Sequence, residues 1–408
     1  MRGIIGVLFI LIYGGLIFYI GRNGYQSITS KVNISRVIYW SVLIILSSLY
    51  FISFFGKDLL PGGVTKAFQI IGGYWIPAFV YLLAITVLVD IIKLATRRIG
   101  PVSDFFKSSS IYITFASIIL VCFVLVIGTY NAFVPTIRNY TIDINKQANG
   151  LQNIKCAMIS DVHMGELIRK DRLVKAVKII NEMQPDIVVI AGDLIDNNIE
   201  PIKKENSLEP LKDIRSKYGT FAVLGNHEYY GSTSDEIEKM LSDYNITVLR
   251  DKEVLVADSF YVVGREDKVV TTFGGQRKPL QQLTADVDKS LPVILIDHQP
   301  NSLDDARKDK IDLQLSGHTH AGQFFPISLI TNAMFEKHWG HLKDDDFNLI
   351  VSSGYGTWGP FVRIGSQSEI LDITINFKSQ KRREGLKFFI HEYLKKRIGL
   401  KQQALTGT

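Results

Sequence analysis

Cysteine is almost absent from this chain of 408 residues: Cys122 lies in the middle of an apolar run and Cys156 in an apolar strand pattern. A disulfide framework is thereby excluded, while the compartment is left open. Linkers are missing as well. No Ser/Gly/Pro-rich stretch follows Tyr130, and neither an internal repeat nor a low-complexity tract occurs, so any soluble part begins within a few residues of the preceding apolar run. Charge is missing from four long segments, residues 3–20, 37–55, 68–92 and 111–130, where Asp90 is the one exception. Each is near or above the roughly 18 residues that a hydrocarbon core of about 30 Å demands of a helix. Four transmembrane helices are expected. The first lacks a small-x-small cleavage pattern at its exit, Gly21-Arg22-Asn23-Gly24, and is read as retained. Asp90 lies one turn from Lys93, where pairing and snorkelling are cheap. Gly72, Gly73 and Pro77 suggest a kink in the third span. With no inverted repeat or central charge, these helices read as an anchor rather than a transporter.

Charge is present elsewhere and unevenly. Residues 1–150 carry a net +8, residues 151–377 a net −9 and residues 378–408 a net +7. The overall +6 therefore does not describe the middle of the chain, and nucleic-acid binding is not expected from it. An acidic middle suits a metal-binding enzyme. Lys and Arg in the short loops favour one side of the membrane by 7 to 5, which puts both termini and the soluble region outside the cytoplasm.

From residue 136 onward, short runs rich in β-branched residues alternate with helical spacing. Strands are expected at 136–144, 154–160, 186–191, 220–224, 292–296, 311–315 and 348–352, and helices at 171–183, 208–217 and 234–242. Five polar blocks follow in order: Asp161-x-His163, Gly192-Asp193-x-x-Asp196, Gly225-Asn226-His227-Glu228, a lone His298 and Gly317-His318-x-His320. They hold five of the eight histidines, and each block begins where a strand ends, the place where layered α/β folds gather ligands. Cleaving a phosphate ester needs neutralised nonbridging oxygens, an activated water and a proton for the leaving oxygen. Two divalent cations about 3.5–4 Å apart supply the first two. A mixture of carboxylate, imidazole and amide oxygen suits Mn, Fe, Zn or Ni better than Mg.

These blocks resemble those of the calcineurin-like metallophosphoesterases. The resemblance covers residues 136–377 and implies a sandwich of two mixed β-sheets flanked by helices, here preceded by a four-helix transmembrane region (1–131) and followed by a basic tail (378–408). It implies two divalent metal ions, manganese first among them. Asp161, His163 and His320 would hold one, Asn226, His298 and His318 the other, and Asp193 would bridge both. A hydroxide between the metals would attack phosphorus. His227 would act as the general acid, oriented by Asp196.

A closer likeness, in Gly225-Asn-His-Glu-Tyr-Tyr230, Gly317-His-Thr-His-Ala-Gly-Gln323 and Ser353-Gly-Tyr-Gly-Thr-Trp-Gly-Pro360, is to bacterial exported or membrane-anchored phosphoesterases. Asn197 stands where phosphoprotein phosphatases carry an arginine that contacts phosphate, so a phosphodiester or lipid-linked substrate is favoured. Arg363 is the candidate phosphate contact, with Tyr355 and Trp358 as cleft-lining residues. Residues 353–365 read as a strand-turn-strand hairpin or a phosphate cradle. His338 and His341, at i, i+3 spacing, read as a substrate-side or plain surface loop in preference to a further metal site. In the tail, Leu386, Phe389, Ile390, Tyr393, Leu394 and Ile398 recur at helical spacing among lysines, a pattern for an anionic membrane surface. The expected partners are a phosphoester substrate near the membrane and the bilayer itself, with no obligate protein partner evident. The alternative is an idle metal-binding sensor or scaffold, against which His227 and Asp196 argue.

Overall fold

The computed structural model of the chain describes residues 2–56, 59–231 and 233–378. The basic tail, with its amphipathic pattern, lies outside the described residues. The first third forms α1 (Arg2–Thr29), α2 (Arg36–Phe55), α3 (Gly62–Thr96), α4 (Gly100–Ser108) and α5 (Ser110–Phe133). All but α4 are long and apolar enough to cross a membrane. Helix α1 runs through the polar exit expected at residues 21–24, with the Asn23 amide donating to the Tyr19 carbonyl at 3.1 Å. Asp90 is paired as its sequence context suggests, to Lys93 at 3.2 Å and to the Tyr19 hydroxyl at 2.7 Å.

The glycines of the third span serve close packing. Helix α3 runs as one element through Gly72, Gly73 and Pro77. A Cβ on Gly72 would lie 2.4 Å from the Tyr50 backbone nitrogen of α2. The glycine lets two backbones touch, as small residues do between apolar helices.

The rest of the chain builds two six-stranded mixed sheets. The strands are β1 (Thr136–Ile144), β2 (Asn153–Ile159), β3 (Ile187–Ala191), β4 (Thr220–Val223), β5 (Ile246–Val248), β6 (Lys252–Val256), β7 (Phe260–Gly264), β8 (Val293–Ile296), β9 (Leu313–Ser316), β10 (Gly340–Asp344), β11 (Phe347–Val351) and β12 (Glu369–Phe377). One sheet has the order β1-β12-β2-β3-β4-β5 and the other β10-β11-β9-β8-β7-β6. In the first, β2 to β5 run parallel and β12 returns antiparallel to β2. In the second, β7, β8, β9 and β11 are parallel and β6 and β10 are antiparallel edges.

Because side chains alternate along a strand, each sheet buries both faces. Ile187, Val189, Ile294 and Ile296 enter the layer between the sheets. Val188 and Ile190 turn outward under the helix Lys170–Glu182, and Val293 and Leu295 turn outward on the other side. The helix expected at 208–217 is instead a short 3-10 turn, Glu209–Asp213, where Pro210 lacks the N–H an α-helix interior would use.

Candidate metal centre

Asp161, Asp193 and Asn226 stand just past the ends of β2, β3 and β4, and His298 and His318 just past β8 and β9, so parallel strands of both sheets deliver their loops to one place. Asp161, His163 and His320 form one group whose ligand atoms lie within 4.8 Å of one another; His163, Asp193 and His227 form a second, and Asp193, His298 and His318 a third. His163 belongs to the first two and Asp193 to the last two, so the three groups are one cluster. His298 Nε2 is 3.2 Å from Asp193 Oδ2, and His163 Nε2 is 3.1 Å from His320 Nε2.

The backbone here is held in unusual conformations. Asp161, His163, Asp193, His318 and His320 all have φ between 49° and 72°. Non-glycine residues adopt this region at a cost of about 1–3 kcal/mol each, and do so chiefly where surrounding structure enforces it. Two glycines provide the room. A Cβ on Gly225 would sit 2.2 Å from Asp193 Oδ1, and one on Gly317 would sit 2.3 Å from Asp161 Oδ2.

The donors present fit a metal. His298 Nδ1 donates to the Ala191 carbonyl at 2.7 Å, which turns Nε2 toward Asp193; burial opposes charge on this imidazole, but Asp193 outweighs it and raises the pKa well above 6.5, so a cation bound here would take the place of the Nε2 proton. The buried amide oxygen Asn226 Oδ1 has no hydrogen-bond partner. Unpartnered buried acceptors are costly unless an ion or water completes them. Burial pushes the Asp161 carboxyl up to about 6. Burial also opposes charge on Asp193, but the adjacent His298 imidazolium outweighs it and holds that carboxyl well below its usual range. Burial lowers His163 to about 4 and His318 to about 3, so both imidazoles are neutral at pH 7 and free to act as ligands.

At the rim, His227 Nδ1 and Asp196 Oδ1 are 2.8 Å apart. Burial resists charge on His227, but the hydrogen bond to Asp196 and the charge of Asp193 raise its pKa above 6.5. Its ring meets that of His163 edge-on at 4.6 Å between centroids. A protonated imidazole beside the cluster can donate to a leaving oxygen.

Four expectations about neighbouring residues are corrected. Arg363 is fully buried. Its Nη2 donates to the carbonyls of Ser353 at 2.6 Å and Gly356 at 2.7 Å, and lies 3.3 Å from His320 Nδ1. With its fork committed to backbone it braces His320 and does not reach a substrate phosphate. Tyr355 is also fully buried, its hydroxyl donating to the Arg172 carbonyl at 3.0 Å, so it does not line a cleft. Residues 353–365 form neither a hairpin nor a phosphate cradle: the N–H groups of Tyr355 and Gly356 donate to Ser160 and Asp161 carbonyls, locking the loop over β2. Trp358 remains exposed, and His341 lies on strand β10 instead of in a loop, its Nε2 bonded to Asn348 Oδ1 at 3.0 Å.

Sequence reading gave no role to Glu228, Arg172 or Glu369. Glu228 accepts the N–H groups of Asp193, Ile195 and Gly225 at 2.7–3.1 Å, tying two ligand loops together. Its place in the Gly-Asn-His-Glu block was the available signal. Arg172 donates to the carbonyls of Ala132, Phe133 and Tyr355, and Glu369 accepts from Ser353, Arg138 and Trp339.

A family model described as calcineurin-like phosphoesterase matches residues 154–322, the stretch from β2 past His320. An uncharacterized metallophosphoesterase of Aquifex aeolicus is 32% identical over 251 residues, covering 59% of this chain and 92% of its own length. One of Campylobacter jejuni is 28% identical over 386 residues, covering 93% and 99%. A transmembrane protein with metallophosphoesterase domain from Danio rerio is 28% identical over 358 residues, covering 83% and 80%. With the matched stretch carrying the whole cluster and a relative above 30% identity spanned nearly end to end, this chain belongs to the calcineurin-like metallophosphoesterases, a family of phosphoric ester hydrolases that use a dinuclear divalent metal centre.

Proposed function

We propose that the chain is a membrane-anchored phosphoesterase, with residues 136–377 as its catalytic part, acting on a phosphoester carried by a lipid, a lipid-linked sugar or a cell-envelope polymer. One observation carries this reading: the loop that braces the candidate metal centre is seated on the apolar helices. Arg363, which contacts His320 through its guanidinium, donates its backbone N–H to the Gly128 carbonyl of α5 at 2.8 Å. In the same loop, Pro360 lies against Gly73 of α3 and Gly359 against the Tyr50 hydroxyl of α2. A centre so close to helices of membrane-spanning length favours a substrate presented at the bilayer surface. The catalytic part faces outward in this proposal, following the lysine and arginine distribution of the loops.

Asp161, His163 and His320 would hold one divalent cation and Asn226, His298 and His318 the other, with Asp193 between them. When bound, the two cations would neutralise the phosphate oxygens and activate the attacking water. His227, kept protonated and oriented by Asp196, donates its proton to the leaving oxygen. That pair supports turnover over a purely binding role, because a sensor has no use for an oriented acid.

The test uses full-length protein in detergent, assayed on bis(p-nitrophenyl) phosphate and p-nitrophenyl phosphate with Mn²⁺, Fe²⁺, Zn²⁺ or Ni²⁺. Turnover lost in both Asp193→Ala and His227→Ala is expected. Bound metal without turnover of either ester would favour the sensor.

A further inference from the structure

After His320 the chain carries no Asp, Glu, Lys or Arg from Ala321 to Phe335. Ordinarily so long an uncharged run is core. Here the helix Ile327–Met334 has no buried residue at all, and Phe325, Leu329, Ile330 and Met334 are 50–69% exposed. An apolar surface of this kind is unfavourable against water and marks a contact.

Its surroundings identify the contact. The Tyr81 hydroxyl, near the midpoint of α3, donates to the Phe325 carbonyl at 2.6 Å. Gly73 of the same helix already touches Pro360, and eight residues of helix advance about 12 Å. Phe325 therefore lies well along α3, beside a helix whose outward side chains Leu88 and Ile91 are themselves exposed and apolar. The Gln323 side chain joins this segment to the Trp358 turn, donating to the Trp358 and Pro360 carbonyls and accepting the Trp358 N–H at 2.9 Å. Trp358, 59% exposed, thus belongs to the same patch. The patch continues the outer surface of the membrane-length helices, where hydrocarbon is the solvent.

We propose that residues 325–334, with Trp358, dip into the bilayer beside α3 and form a membrane-inserted element built into the catalytic part itself. At the far end of this element Phe335 meets the His318 ring at 6.2 Å between centroids. Acyl chains lying along the element and α3 deliver their headgroup to His318. The segment thus admits substrate sideways from the leaflet. Insertion stands apart from turnover: a chain that inserts and does not hydrolyse, or the reverse, separates this inference from the proposed function.

The test is nitroxide accessibility in full-length protein in phosphatidylcholine nanodiscs, on a Cys122→Ser background with Cys156 left buried. Leu329→Cys, Ile330→Cys, Met334→Cys and Trp358→Cys are labelled singly. Ile119→Cys on the outer face of α5 serves as lipid reference and Glu253→Cys on β6 as water reference, with monodispersity and bound metal checking each fold. Relaxation enhanced by oxygen and not by a water-soluble nickel chelate, matching Ile119→Cys, is expected at three or more positions. Nickel accessibility like that of Glu253→Cys would overturn the proposal. Shielding from both reagents would overturn it too, with dipolar broadening then identifying a second copy as the cover.

Discussion

Gly128, on the last turns of α5, accepts the Arg363 backbone N–H at 2.8 Å, while the Arg363 guanidinium lies 3.3 Å from His320 Nδ1. One residue thus separates a helix of membrane-spanning length from a candidate metal ligand. The position of the centre relative to the helices is set by packing: a Cβ on Gly128 would lie 2.6 Å from Val362 Cγ1, so only glycine admits this contact.

Arg363 yields the first prediction. Arg363→Met removes the donor to the backbone carbonyls of Ser353, Gly354, Gly356 and His320 in a fully buried site, and stranding buried acceptors costs about 3 kcal/mol or more. Thermal unfolding should show that loss together with weaker metal binding. The KM of the remaining active protein for a soluble diester should stay within about twofold, since the side chain touches no substrate. A large rise in KM with unchanged stability would return Arg363 to the substrate.

Gly317→Ala forces a methyl group to within 2.3 Å of Asp161 Oδ2. Displacing that carboxylate should cost about 1–3 kcal/mol of stability. Metal analysis should find a loss of bound metal, where Gly100→Ala, in open space at the start of α4, should not lose any.

Asp161 sets a pH dependence on metal binding. Its carboxyl, pushed by burial up to about 6, must lose its proton to act as a ligand. In metal-free protein the raised pKa means this group favours the fold less as pH climbs from its ordinary 3.8 through 6, because the charged form is the one burial penalises. A cation reverses the penalty. The rise in Tm on adding Mn²⁺ should therefore be larger at pH 7 than at pH 5, and a rise independent of pH would contradict the assignment.

The His227 and Asp196 pair should be visible in the metal-free protein by NMR titration. His227 should titrate above 6.5, because Asp196 and Asp193 outweigh the cost of burying its charge. A raised histidine contributes stability that is present below 6.5 and lost as pH passes its folded value. Asp196→Asn should move the midpoint down and remove that contribution. His318, lowered to about 3, should stay neutral across the same range.

Much of this was legible in the chain. Histidines are scarce in it, so five of them grouped with Asp and Asn at strand ends stood out, and Asp161, His163, Asp193, His227, His298, His318 and His320 lie in one cluster. The braces were not legible. Arg172 and Arg363 bind backbone carbonyls of distant segments, which leave no side-chain pattern to read. The segment 325–334 was equally hidden, because an uncharged run reads alike whether it faces a core or lipid. Short edge strands such as β5, three residues long, carry too little periodicity to register.

A centre seated on helices of membrane-spanning length should serve a substrate held in the membrane. The most direct measurement is kcat/KM of full-length protein in nanodiscs on two p-nitrophenyl phosphodiesters, one of a long-chain diacylglycerol embedded in the same disc and one of its soluble glycerol analogue. At least about a tenfold preference for the embedded diester is expected, a difference of about 1.4 kcal/mol in transition-state binding, with turnover lost in Asp193→Ala. Equal turnover of both, or a preference for the soluble ester, would contradict it.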